Sequence, residues 1–262
     1  MSKIHPTAQV ASGAQLAGDV EIGPYCIVGD ECILHAGVKL VSHVIVSSRT
    51  EIGENSIVYP FASLGAPGQI YQNQAEVGRL KIGKRCEIRE HVTMNCGSPR
   101  AKLLTDIGDD CMFMVGAHIA HDCTVGRKSI FANNATLGGH VDVGEQVFIG
   151  GLSAIHQFCT IGEHAIVGGV FAVRGHVIPY GNVSNNLNGL NLVGLSRRGF
   201  SDHDLKIMQR AYREIFLGPG VLFDRVAAAK IKYADNNHVQ RIISFMETVN
   251  KKRPLTLPAQ RK

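Results

Sequence analysis

A medium or large apolar residue returns every six positions along most of this chain. The series opens with Ile4, Val10, Leu16, Ile22, Val28 and Leu34 and runs on to Leu64. It resumes at Ile82, Ile88 and Met94, and again from Ile107 to Val173, making 26 hexads in all. Gly often follows the apolar residue, as in Ile22-Gly23, Ile52-Gly53, Val125-Gly126 and Ile161-Gly162, and a small or β-branched residue fills most fifth places. A strict period of six fits neither a helix nor an ordinary alternating strand. It fits short strands joined by tight turns and stacked as a parallel β-helix. With three hexads to a coil, the array amounts to about nine coils, a prism on the order of 40 Å long at the spacing of stacked strands.

Two stretches, 70–81 and 100–106, break the register and are expected to be loops on one side of the stack, where repeat proteins often bind ligands. The period stops after Pro179. An irregular Asn-rich link over 182–191 is expected next. Ser201 then reads as a helix N-cap, with Leu205, Met208, Tyr212, Ile215 and Phe216 at helical spacing and Gly218-Pro219-Gly220 as the stop. Helical segments near 221–234 and 237–250 would complete a small α domain that covers the exposed strand edges of the last coil. The expected division is a β-helix over 1–180, then linker, helical domain and basic tail over 181–262.

Composition changes this picture in three places. Six of the seven cysteines (Cys26, Cys32, Cys86, Cys111, Cys123 and Cys159) fall at fifth places, so they are expected to be buried, unpaired core residues rather than a disulfide framework. Trp is absent, which disfavours base stacking and nucleic-acid binding. No apolar run is long enough to span a membrane and no signal-peptide pattern opens the chain, so a cytoplasmic location is expected. The net charge is +5. The cations of the C-terminal tail are expected to be solvated, with an acidic partner as the sharper reading.

Four of the twelve histidines fall within a few positions of one another on the coil period. His118 and His121 belong to one coil; His140 lies 19 residues beyond His121, and His156 lies 38 beyond His118. On a coil of about 18 residues all four project near one corner. A column of imidazoles has no packing purpose on an edge. Asp122 follows His121, which supplies a carboxylate beside a potential general base. Gly138-Gly139 leaves a backbone N–H approachable by an oxyanion. No Ser or Cys is placed in the cluster as an obvious nucleophile, which favours direct transfer to an acceptor hydroxyl or amine.

The runs His118-Ile-Ala-His121-Asp122-Cys123, Phe131-Ala-Asn-Asn134-Ala-Thr-Leu137, Gly139-His140, Ile155-His156-Gln157-Phe158-Cys159 and Leu195-Ser-Arg197-Arg198-Gly199-Phe200 resemble the acyl-[acyl-carrier-protein]–UDP-N-acetylglucosamine O-acyltransferases of lipid A biosynthesis. The resemblance covers essentially the whole chain. It implies a left-handed parallel β-helix of hexapeptide repeats with a C-terminal α-helical cap, assembled as a homotrimer with active sites between neighbouring prisms. It implies transfer of a 3-hydroxyacyl chain from acyl carrier protein, carried on its phosphopantetheine, to the 3-position of UDP-N-acetylglucosamine, with no separate cofactor and no metal. His121 would be the general base, Asp122 its orienting partner and the Gly139 N–H the oxyanion donor. Gln69, His118, His140, His156 and Gln157 would line the substrate cleft, and Asn191, Arg197 and Arg198 would lie near the nucleotide diphosphate. Gly169 matches the position that limits acyl-chain length.

Departures cluster where the sugar is read. The family's usual Gln-Asp-Leu-Lys is Gln69-Ile70-Tyr71-Gln72 here, and its His-Arg-Gly-Thr is Asn95-Cys96-Gly97-Ser98. Losing a carboxylate and an ammonium changes which substrate groups can be paired, so a different UDP-sugar, such as a 3-amino analogue, is the alternative acceptor. A coenzyme A-dependent acetyltransferase and a zinc-dependent lyase using His118, His121 and His140 are the competing classes.

Overall fold

The computed structural model describes residues 2–71, 78–99 and 101–259. Each hexad folds as a two-residue strand followed by a turn, and the strands stack into three parallel sheets of eleven, nine and eight strands. The register keeps like positions aligned. In the second sheet Ile119 pairs with Leu137, Leu137 with Ile155 and Ile155 with Val173. Each such row is buried, so every coil adds its apolar side chains to one continuous core. The hexads thus build the parallel β-helix that they predict, with the left-handed sense that the family resemblance implies.

Turn chemistry explains the rest of the repeat. The fifth residue points into the inside of a corner, where its side chain meets a carbonyl of the next coil. Ser129 Oγ donates to the Gly144 carbonyl at 3.1 Å and Cys123 Sγ to the Gly138 carbonyl at 3.2 Å. A small side chain with a weak donor is what fits, and the six fifth-place cysteines are buried and form no disulfide, as expected. The fourth residue of most hexads adopts the left-handed conformation although few are glycine; Asp122 has φ 61° and His140 φ 62°. That conformation costs about 1–2 kcal/mol for an L-residue. Hydrogen bonds between coils offset it, as where the His140 N–H donates to the His121 carbonyl at 3.1 Å. Its consequence is geometric: fourth-place side chains stand outward at the corners and stack from coil to coil.

Pairing resumes inside both expected insertions, at strands Arg79–Ile82 and Leu104–Ile107, which pair with each other over four residues. The breaks in register therefore begin and end earlier than expected, because chain entering from a loop still finds a sheet edge to pair with. Gln72 lies outside the described residues. The Asn-rich link is not irregular: Gly181–Val183 and Leu187–Leu190 form an antiparallel hairpin that extends the first sheet. Val183, Leu187 and Leu190 are its buried residues.

Four helices follow: α1 (Leu192–Arg197), which the hydrophobic spacing did not announce, α2 (Asp202–Leu217), α3 (Leu222–Lys232) and α4 (Asn237–Thr248). Ser201 caps α2 by accepting from the Asp204 N–H at 3.1 Å. Tyr180, fully buried at the last corner, joins coil to cap through Glu163 (3.0 Å) and His238 (3.2 Å). Lys251 and Lys252 of the tail are exposed as expected, while its backbone is docked and Arg261 and Lys262 lie outside the described residues. Its backbone pairs with His176 through Pro254 and Thr256, and Arg253 Nε donates to the Gln157 carbonyl at 2.9 Å. Among the described residues no helix is long and apolar enough to cross a membrane.

Candidate active site

The corner between the second and third sheets carries the histidine column. His121 Nδ1 lies 2.8 Å from Asp122 Oδ2, and His140 meets His121 edge-on with ring centroids 4.9 Å apart. Phe158, one coil further, stacks on His140 at 4.6 Å. His118 is half-buried beside the column, with Nδ1 2.7 Å from Thr93 Oγ1. The His121 ring is held between two glycines. A Cβ built on Gly139 would fall 2.6 Å from His121 Nε2 and Cε1, and one on Gly68 would fall 3.0 Å from its Cβ. The nitrogen not facing Asp122 is therefore beside Gly139, whose N–H has no acceptor among the described residues.

Asp122 is completely buried and its carboxylate is saturated with donors. Oδ1 accepts from the Ser98 N–H (3.0 Å) and the Lys102 N–H (3.1 Å); Oδ2 accepts from Ser98 Oγ (2.6 Å) and faces His121. Burial pushes its pKa up, but the hydrogen bonds from Ser98 and His121 outweigh burial and hold it below the ordinary carboxylate range. Burial lowers the pKa of His118, and also that of His140, where the Asp122 charge opposes it. The site thus presents one fixed anion beside two imidazoles, His118 and His140, whose charged forms burial disfavours. An ionised carboxylate only accepts, so the hydrogen of the contact is carried by His121 Nδ1.

A serine does sit in the cluster, though not as a nucleophile. Ser98 is only 4% exposed and its hydroxyl donates to Asp122, so it is spent as a support and not free as a nucleophile. Asn95, also buried, donates from Nδ2 to the carbonyls of Ala66 (3.2 Å) and Pro67 (2.8 Å), fixing the loop that lays Gly68 against His121. Asn95 and Ser98 lie in the run expected to read the sugar, and both side chains bind protein groups. The only signal available was that an insertion interrupts the coils just before the His121 hexad.

The remaining expected residues are spread over the molecule. His156 and Gln157 are exposed on the same corner further up the coils, and Gln69 is exposed directly after Gly68. Asn191 lies at another edge: it caps α1 through the Gly194 N–H (3.2 Å) and donates to the His164 carbonyl (3.0 Å), with exposed Arg197 and Arg198 following. Gly169 lies at the third edge, where a Cβ would sit 3.1 Å from the Gly151 carbonyl oxygen. One chain brings His118, His121, Asp122, Gly139 and His140 together with His156, Gln157 and Gln69 along the same corner, and leaves Asn191, Arg197, Arg198 and Gly169 on other edges. His121, Asp122 and His140 offer ligand atoms within 4.8 Å of one another. The Nδ1 and carboxylate atoms a cation would need are already engaged with each other and with Ser98 and Lys102.

A hexapeptide β-helix with a histidine–carboxylate pair on its edge and a helical cap defines a hexapeptide-repeat acyltransferase. Family models agree: bacterial transferase hexapeptide repeats match residues 105–139, and the second domain of UDP-N-acetylglucosamine O-acyltransferase matches 176–256. The acyl-[acyl-carrier-protein]–UDP-N-acetylglucosamine O-acyltransferase of Azorhizobium caulinodans is 49% identical, covering 95% of this chain and 93% of its own. That of Caulobacter vibrioides is 49% identical, covering 97% and 98%. The crystal structure of UDP-N-acetylglucosamine O-acyltransferase from Moraxella catarrhalis superimposes with a TM-score of 0.92 at 35% identity, covering 97% of this chain and 99% of that one. This chain belongs to the acyl-[acyl-carrier-protein]–UDP-N-acetylglucosamine O-acyltransferase family.

Proposed function

We propose that the protein transfers a 3-hydroxyacyl chain from acyl carrier protein to the 3-hydroxyl of UDP-N-acetylglucosamine, opening lipid A biosynthesis, with His121 as general base. The observation that carries this reading is the His121–Asp122 pair, 2.8 Å apart, with the far imidazole nitrogen beside Gly139. His121 Nε2 takes the proton of the sugar hydroxyl as its oxygen attacks the thioester carbonyl. The oxyanion so formed is met by the Gly139 N–H. Collapse expels the pantetheine thiolate, which recovers the proton from the imidazolium. Asp122 stabilises that imidazolium and holds its tautomer.

His118, His140, His156, Gln157 and Gln69 line the acceptor side; Asn191, Arg197 and Arg198 serve the diphosphate end, and Gly169 the acyl chain. These groups occupy different edges of one prism, so a complete site needs edges from neighbouring chains. A homotrimer supplies them. A carrier-protein donor and a nucleotide-sugar acceptor place the reaction in the cytoplasm.

The test is mass spectrometry of reactions with 3-hydroxyacyl carrier proteins, acetyl-CoA, UDP-N-acetylglucosamine and its 3-amino analogue, each run beside His121→Ala. Acylation of UDP-N-acetylglucosamine from the carrier protein, abolished in a variant that stays trimeric, is expected. Transfer only to the amino sugar would replace the acceptor, transfer only from acetyl-CoA would replace the donor, and an active His121→Ala would remove the base.

A further inference from the structure

The dyad is held by something the repeat did not announce. Apart from its contact with His121, Asp122 takes no support from its own hexad. Its carboxylate is met by the second insertion, through two backbone N–H groups, of Ser98 and Lys102, and the Ser98 hydroxyl. Its own N–H donates to Thr105 Oγ1 at 2.9 Å. Of the loop's bonds to the carboxylate, the 2.6 Å bond from Ser98 Oγ is the one a side chain supplies, and it lands on Oδ2, the oxygen that also faces His121 Nδ1. Two donors therefore compete for the electron density of one oxygen.

We propose that Ser98 is a positioning residue of the reaction: its hydroxyl fixes Asp122 and moderates how strongly that carboxylate holds the proton on His121. This rests on the reading of His121 as general base. A bare, buried carboxylate would bind a proton tightly and pull hard on the imidazolium, raising the basicity of His121. The Ser98 hydroxyl draws off part of that pull, so the carboxylate holds the imidazolium proton less tightly. Burial keeps water from doing the same job, since Ser98 is 4% exposed and Asp122 not at all.

The signs follow. In Ser98→Ala the carboxylate loses one charge-assisted donor, so Asp122 and the imidazolium beside it both hold protons to higher pH. The acid limb of the kcat/KM profile should move up. At pH 7 kcat should fall about tenfold, which is the scale of one hydrogen bond to a charged group, with KM within about twofold. Ser98→Thr keeps the hydroxyl and should restore both; Ser98→Cys keeps the volume with a weak donor and should behave as Ser98→Ala.

The decisive measurement is the titration of the His121 imidazole, followed by carbon-13 NMR with labelled histidine, in the wild type and the three variants, beside the pH–rate profile. It needs no turnover, so a wild type inactive with the acceptors named above would sink the functional reading while leaving this inference testable. An upward His121 titration in Ser98→Ala and Ser98→Cys, reversed in Ser98→Thr, is expected. An unmoved titration, or a lowered kcat with an unmoved acid limb, would reduce Ser98 to a packing residue. If Ser98→Ala does not fold, the comparison of Ser98→Thr with Ser98→Cys decides the matter alone.

Discussion

Replacing Asp122 by Asn removes a charge and almost no volume, and the hydrogen bonds around it state what must follow. The carboxylate faces four donors: the N–H groups of Ser98 and Lys102 on one oxygen, and the Ser98 hydroxyl and His121 on the other. An amide has one oxygen. Placed toward the two backbone N–H groups, it leaves its NH2 facing Ser98 Oγ and His121 Nδ1. The hydroxyl can rotate and accept. The imidazole can accept only by giving up its Nδ1 proton, which moves to Nε2, the nitrogen beside Gly139. The base is then protonated where it should be empty. Restoring the productive tautomer sets two N–H donors against each other and forfeits a bond to a charge, about 4 kcal/mol together. That is roughly a thousandfold in kcat, in line with the losses of about ten thousandfold known when a triad carboxylate becomes an amide. Initial rates by mass spectrometry, with melting temperature and trimer size as controls, would test it. A folded Asp122→Asn retaining a tenth or more of wild-type kcat at pH 7 would refute the tautomer argument.

Two further outcomes follow from the same structure. Gly169→Met projects a side chain from an edge where even a Cβ sits 3.1 Å from the Gly151 carbonyl, so the preferred acyl chain should shorten; an unchanged profile across donor lengths would take Gly169 out of that role. Burial holds His118 and His140 below the ordinary imidazole pKa, so both stay neutral in the folded chain where the unfolded chain takes up protons. Their contribution to stability is complete above about pH 7 and declines as pH falls through about 6.5 and below. The melting temperature should drop between pH 7.5 and 5.5, and the drop should be smaller in His118→Gln; an equal slope in that variant would place the acid sensitivity elsewhere.

The period of six was enough to give the solenoid, the burial of the cysteines and the shared corner of His118, His121 and His140. In a stacked fold, sequence spacing is spatial position: residues about one coil apart are neighbours whatever they are. The cap helix from Ser201 was readable for a related reason, since its N-cap and apolar spacing are local. Where the register broke, that rule lapsed. Nothing in the spacing says that Ser98 reaches the carboxylate of Asp122, 24 residues later, or that Asn95 fixes the loop carrying Gly68 beside His121. Nor does it say that the tail returns to pair with His176. Those contacts depend on how loops of irregular length close in space. The sequence by itself therefore determined the prism and which side chains stand on each edge. Only the tertiary structure decided which loop atoms complete the acid–base pair, because a buried charge must be satisfied by whatever donors folding brings to it.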